Sequence, residues 1–104
     1  MENVPKNVWV VYNDSRKDYG AAEKFGKLRD IFSNLGRTYD ADKMMEHIRY
    51  TMRNYVVGDY LLVVGDPVLV AMVTAVALEH DPEVNFLRWN KFDFCYTPFA
   101  VNFD

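Results

Sequence analysis

The sequence has one cysteine, Cys95, and so can form no internal disulfide. A reducing, cytoplasmic setting is the simplest expectation. Its longest apolar stretch, Pro67 to Leu78, runs 12 residues, well short of the roughly 20 that span a bilayer. The first residues, Met-Glu-Asn-Val-Pro-Lys, lack the apolar core of a signal peptide. Charges of one sign form no block, and 15 acidic residues against 12 basic give a net charge of -3. That leaves no electrostatic footprint for DNA or RNA. Neither G-x-G-x-x-G nor G-x-x-x-x-G-K-[ST] occurs, which removes the two common phosphate-cradling loops. The two histidines, His47 and His80, do not have zinc-ligand spacing. No repeat, linker or low-complexity segment divides the 104 residues, so they are read as a single α/β domain, 1–104.

What is present is apolar and aromatic: half the residues are hydrophobic and 15 % are Phe, Trp or Tyr. The chain is organised around Asp59 to Leu78. Tyr60 to Val64 is an apolar run without alternation, the mark of a strand covered on both faces. Gly65 permits a sharp turn, Asp66 is a good N-cap, and Pro67 suits the first helical position. From Val68 to Leu78 only Thr74 is polar, so this helix is expected to be sandwiched in the core or shared with a second copy in a homodimer.

The other elements follow in order. Val8 to Tyr12 reads as the first strand, stopped by Asn13-Asp14-Ser15. Asp18 is placed to cap a short helix over Tyr19 to Phe25, closed by Gly26. Leu28 to Phe32 reads as an edge strand and Ser33 to Gly36 as a turn. Asp40 or Thr38 caps an amphipathic helix from Ala41 to about Tyr55, with Met44, Met45, Ile48, Met52 and Tyr55 on its apolar side. Asp81-Pro82 stops the apolar helix. Val84 to Trp89 is a fourth strand, and Phe92 to about Phe103 a fifth, with Pro98 at an edge or bulge. The alternation predicts a small three-layer sandwich with a mostly parallel sheet, order 2-1-3-4-5. The tight last link predicts a C-terminal antiparallel hairpin. The first helix is expected on one face, the other two distributed to cover the sheet.

That order reverses direction between strands 1 and 3, where open α/β sheets tend to bind ligands. Asn13, Asp14, Ser15, Gly65 and Asp66 would line the crevice, and the helix after Gly65 would aim amides into it. The plainer reading makes Asp66 a cap and Gly65 a turn residue. The C-terminal hairpin carries Trp89, Phe92 and Tyr96 among other aromatics, with Arg88 and Lys91 nearby. These are hydrophobic core and cross-strand pairs, or anchors of a protein interface. Base stacking is the weaker reading in an acidic chain. Cys95 reads as a buried apolar strand residue rather than a nucleophile. His47, beside Glu46, reads as solvated. Asp40, Asp42 and Glu46 suit a helix start better than a metal site. No cofactor is implied.

Three stretches carry a resemblance: Tyr19-Gly20-Ala21-Ala22-Glu23-Lys24-Phe25-Gly26, Asp59-Tyr60-Leu61-Leu62-Val63-Val64-Gly65-Asp66-Pro67, and Phe86-Leu87-Arg88-Trp89-Asn90. In this order the chain resembles a group of short, mostly uncharacterised α/β proteins encoded by tailed bacteriophages. The resemblance implies a phage origin and the cytoplasm of an infected bacterium. It brings no catalytic residues to transfer.

The reading that these features favour is a non-catalytic viral accessory protein that binds, and in one form inhibits, a host or phage protein. Trp89, Phe92 and Tyr96 would form its interface. The alternative is a binder of a nucleotide or phosphorylated metabolite in the crevice after strands 1 and 3.

Overall fold

The computed structural model describes residues 6–33 and 40–104. Strand β1, Asn7–Asn13, lies inside the sheet, with Val8, Trp9, Val10 and Val11 all buried. Successive side chains of a strand point to opposite faces. Trp9 and Val11 therefore enter one core and Val8 and Val10 another.

The chain then forms a short 3-10 helix, Gly20–Phe25, where an α-helix capped by Asp18 was expected. The Asp18 carboxylate does accept from the Gly20 amide, at 2.8 Å. Six residues ending at Gly26, whose neighbour Lys27 donates its amide to the Lys6 carbonyl, leave too little chain for a full α-helix. Strand β2, Lys27–Ser33, pairs in parallel with β1 along its outer side. The expected turn over Ser33 to Gly36 and the alternative cap Thr38 lie outside the described residues.

Helix α1, Ala41–Thr51, begins at Asp40, whose carboxylate accepts from the Lys43 amide at 2.9 Å. It stops four residues before the expected end at Tyr55. A single 3-10 turn, Met52–Asn54, follows, and Tyr55 is extended, its amide bonded to the Met52 carbonyl. Met52 and Tyr55 still reach the core that the apolar periodicity assigned them.

Strand β3 is only Tyr60–Leu62. The apolar run continues through Val63 and Val64, but only the Val63 amide prolongs the pairing, bonding the Leu87 carbonyl at 3.0 Å. Gly65, at φ +104, then turns the chain out of the sheet. Helix α2, Pro67–Leu78, has the expected bounds, with the Asp66 carboxylate accepting from the Val68 amide at 2.8 Å. It buries Leu69, Val73, Val76 and Ala77, and Val68, Ala71 and Ala75 face outward. Each large apolar side chain so buried contributes roughly 1.5–3 kcal/mol.

Strands β4, Glu83–Asn90, and β5, Cys95–Asn102, form the antiparallel hairpin. The fifth strand starts three residues later than the apolar pattern indicated, because Asn90 captures the intervening backbone. Its side-chain oxygen accepts from the amides of Phe92 (2.9 Å) and Asp93 (3.2 Å), which bends Lys91 to Phe94 into a turn.

The sheet order is β2-β1-β3-β4-β5, parallel except for the last pair. Helices α1 and α2 share one face, over Trp9, Val11, Leu61 and Val84. Among the described residues the 3-10 helix is the one helix on the other face, over Val8, Val10 and Leu62. That covering is short, and beyond it no described residue closes the second face over the carboxyl ends of β3 and β4.

Candidate functional site

The carboxyl ends of β1 and β3 do form a concavity. A cavity of about 360 Å³ lies there, lined by Tyr12, Asp14, Lys17, Gly65, Asp66 and Leu69 among others. Three of the five residues expected in this crevice meet in it: Asp14, Gly65 and Asp66. Asn13 turns away, its side-chain amide donating to Asp30 on β2 at 2.8 Å. Ser15 is exposed and does not line the cavity.

Asp14 is held by Arg16 in a two-pronged pair, Nε to Oδ1 and Nη2 to Oδ2, each at 3.0 Å. That guanidinium bond, helped by the Arg16 amide, lowers the Asp14 carboxyl to about 2. The Asp14 amide donates to the Tyr19 hydroxyl at 3.1 Å, which ties the loop after β1 to the 3-10 helix. Gly65 packs directly on Tyr12: a Cβ at position 65 would stand 2.7 Å from the Tyr12 Cβ. Two carboxylates thus face this cavity, one of them occupied in capping α2.

A larger cavity, of about 620 Å³, opens on the face that the 3-10 helix only partly covers. Its floor includes Leu62 and Val64. Tyr19 closes one side, and Trp89 and Tyr96 the other. Trp89 and Tyr96 are cross-strand partners, with rings in a T-shaped arrangement, centroids 5.0 Å apart. Lys17 and Asp18 stand at its margin. Gly65 belongs to both cavities. The structure therefore joins a residue expected in the crevice to two expected at a protein interface.

The three hairpin aromatics differ sharply in exposure. Tyr96 is 7 % exposed and supports Trp89, which is 49 % exposed; Phe92, at 84 %, stands almost free. Phe94, one of the hairpin's other aromatics, is 76 % exposed and is the one non-glycine residue with positive φ (51°) among those described. Asn90-Lys91 reads as a turn in the sequence, but the turn extends through Phe94, farther than those two residues indicate. On the far side of Trp89 a third cavity, about 440 Å³, is lined by Arg88, Lys91, Phe92 and Thr97 among others. Arg88 lies 4.8 Å from the Phe99 ring centroid and Lys91 5.6 Å from that of Phe92.

The remaining candidates sit apart. Cys95 is half-buried at the start of β5 and pairs with Asn90. His47 is exposed, yet its Nε2 bonds the Ile31 carbonyl oxygen at 2.7 Å and its ring lies 5.0 Å from Phe32. Among the described residues no group of three or more His, Cys, Asp or Glu side chains is arranged to hold a metal ion. Nor is any described helix long and apolar enough to cross a membrane.

No curated protein and no solved structure matches the chain significantly. Residues 6–103 match the model of a family described as Phage Pam3 gp32-like protein.

Proposed function

Because the chain belongs to the Phage Pam3 gp32-like protein family, we propose that it is a bacteriophage accessory protein acting without catalysis, by binding another protein of the phage or its host. The supporting observation is the tip of the β4–β5 hairpin. Phe92 and Phe94 are 84 % and 76 % exposed there, on a turn fixed by the Asn90 side chain. Scattered apolar residues on a surface are ordinary, but two phenylalanines together on a rigid tip contribute almost nothing to folding. Held in place beforehand, they are suited to enter a groove of a partner at low entropic cost. Trp89, Phe99 and Arg88 extend the surface behind them. Tyr96 contributes from below as the support of Trp89.

The test compares wild type with a Phe92→Ala/Phe94→Ala variant as bait in lysates of infected and uninfected host cells. Retained proteins are identified by mass spectrometry. The expected result is one protein held by wild type and lost with the variant, whose circular dichroism and melting are unchanged. Equal retention by both baits would remove the tip from the interface.

A further inference from the structure

The 620 Å³ cavity between the 3-10 helix and the hairpin has features that protein binding through Phe92 and Phe94 does not use. Its volume is that of a small-molecule site, and it stands beyond the carboxyl ends of parallel strands. The floor is aliphatic, from Leu62 and Val64. Trp89 is half-exposed beside it and offers a flat stacking surface.

Tyr96 supplies the second, independent observation. The residue is 7 % exposed, and its hydroxyl makes no hydrogen bond among the described residues, yet the oxygen itself is not sealed from solvent: the buried hydroxyl left unpaired among them is that of Tyr55. Burial, with Tyr19 and Asp18 nearby, raises its pKa. Tyr19, Asp18 and Tyr96 all line the same cavity, and a phenol, protonated at neutral pH as tyrosine ordinarily is, can donate there. A hydroxyl that meets the cavity without a protein partner is free to donate to an acceptor on a ligand. Asp18 commits Oδ1 to the Gly20 amide and keeps Oδ2 as an acceptor.

We infer that this cavity binds a flat, uncharged aromatic molecule with hydrogen-bonding groups on its edge, the chemistry of a nucleobase or nucleoside, stacked on Trp89 with its edge toward the Tyr96 hydroxyl and Asp18. The charges at the margin, one on Lys17 and one on Asp18, cancel. The adjoining cavity, where a phosphate tail would extend, shares Lys17, and with Asp14 paired to Arg16 the charge left over there is the Asp66 carboxylate. Phosphorylation of the ligand therefore weakens binding. The inference does not rest on the partner-binding reading: the two share Trp89 and Tyr96, but neither Phe92 nor Phe94, the anchors of that reading, lines this cavity.

The test titrates the full chain with adenosine, guanosine, cytidine, uridine and thymidine, and with their 5′-monophosphates. Tryptophan fluorescence is one readout. Of the two tryptophans, Trp9 is buried and its indole is bonded to Asp59, so quenching reports on Trp89. Saturation-transfer NMR on the ligand is the second readout and does not depend on Trp89. At least one nucleoside is expected to bind, more tightly than its monophosphate. Tyr96→Phe, which keeps the ring, should weaken it roughly tenfold, the loss of one hydrogen bond. Trp89→Ala should abolish the saturation transfer, and Phe92→Ala/Phe94→Ala should change neither readout. Failure of every nucleoside to bind at millimolar concentration would overturn the inference. So would binding indifferent to both Trp89→Ala and Tyr96→Phe, or a monophosphate that binds more tightly than its nucleoside.

Discussion

The indole N–H of Trp9 donates to Oδ2 of Asp59 across 3.0 Å, in the interior at the amino-terminal end of the sheet. Asp59 is 1 % exposed and accepts three further bonds: from the Asn7 amide (3.0 Å), the Asn7 side chain (3.2 Å) and the Val56 amide (3.0 Å). A buried carboxylate is tolerated when its lone pairs are filled in this way. The group fastens the start of β1 to the loop entering β3, at the opposite end of the sheet from the cavities. Asp59→Ala strips acceptors from several donors at once and should cost about 3 kcal/mol or more. Asp59→Asn keeps one oxygen but sets an NH2 group against converging donors, and should cost about 2 kcal/mol. Urea denaturation monitored by circular dichroism checks both.

Tyr55 presents the opposite case. Its hydroxyl is buried without a partner among the described residues. Tyr55→Phe should therefore leave stability unchanged or raise it by up to about 1 kcal/mol. Burial, reinforced by Asp59 and Asp81, pushes this hydroxyl from its ordinary 10 up to about 12. Between those values the unfolded chain releases the proton and the folded chain retains it. Stability therefore falls as pH rises through that window. Denaturant melts at a series of alkaline pH values should show a component of the decline in wild type that Tyr55→Phe lacks.

Gly65 shapes the junction of the two cavities. At φ +104, with Tyr12 Cβ only 2.7 Å from the position a Cβ would take, alanine meets both backbone strain and a collision. Gly65→Ala should lower stability by about 2 kcal/mol or more. Thermal unfolding measures the loss, and the shift of amide resonances around Tyr12 locates it.

At the hairpin tip, stability and the proposed binding pull apart. Phe94 holds φ 51° with most of its ring in solvent. Asparagine occupies that backbone region more readily. Phe94→Asn should stabilise the fold by up to about 1 kcal/mol and reduce capture of the partner. A variant that melts higher yet binds as well as wild type would show that Phe94 is not an anchor.

The sheet order and the two-faced burial of β3 were legible from local signals: an unbroken apolar run, a Gly-Asp-Pro junction, and a last link too short to cross over. The length of β3 was not, since Val63 and Val64 are as apolar as Leu61 and only the turn at Gly65 removes them. Asp59 read as the mere start of a strand because Trp9 and Asn7 lie some 50 residues away in the chain. The crevice was readable as a place but only partly as a list. Asn13 answers to Asp30 across the strand pair, and Tyr19 and Tyr96 reach the larger cavity through packing that spacing does not encode. Phe92 and Phe94 look like strand residues until the Asn90 side chain is seen to take the amides that would have paired.

Pro98 stands in the middle of β5, the outermost strand, opposite Leu87. A proline is accommodated in an outer strand with its nitrogen turned away from the ladder. The margin of the sheet therefore lacks a donor halfway along, where an incoming strand would need one. Growth of this edge into fibres by chain-to-chain templating is interrupted there.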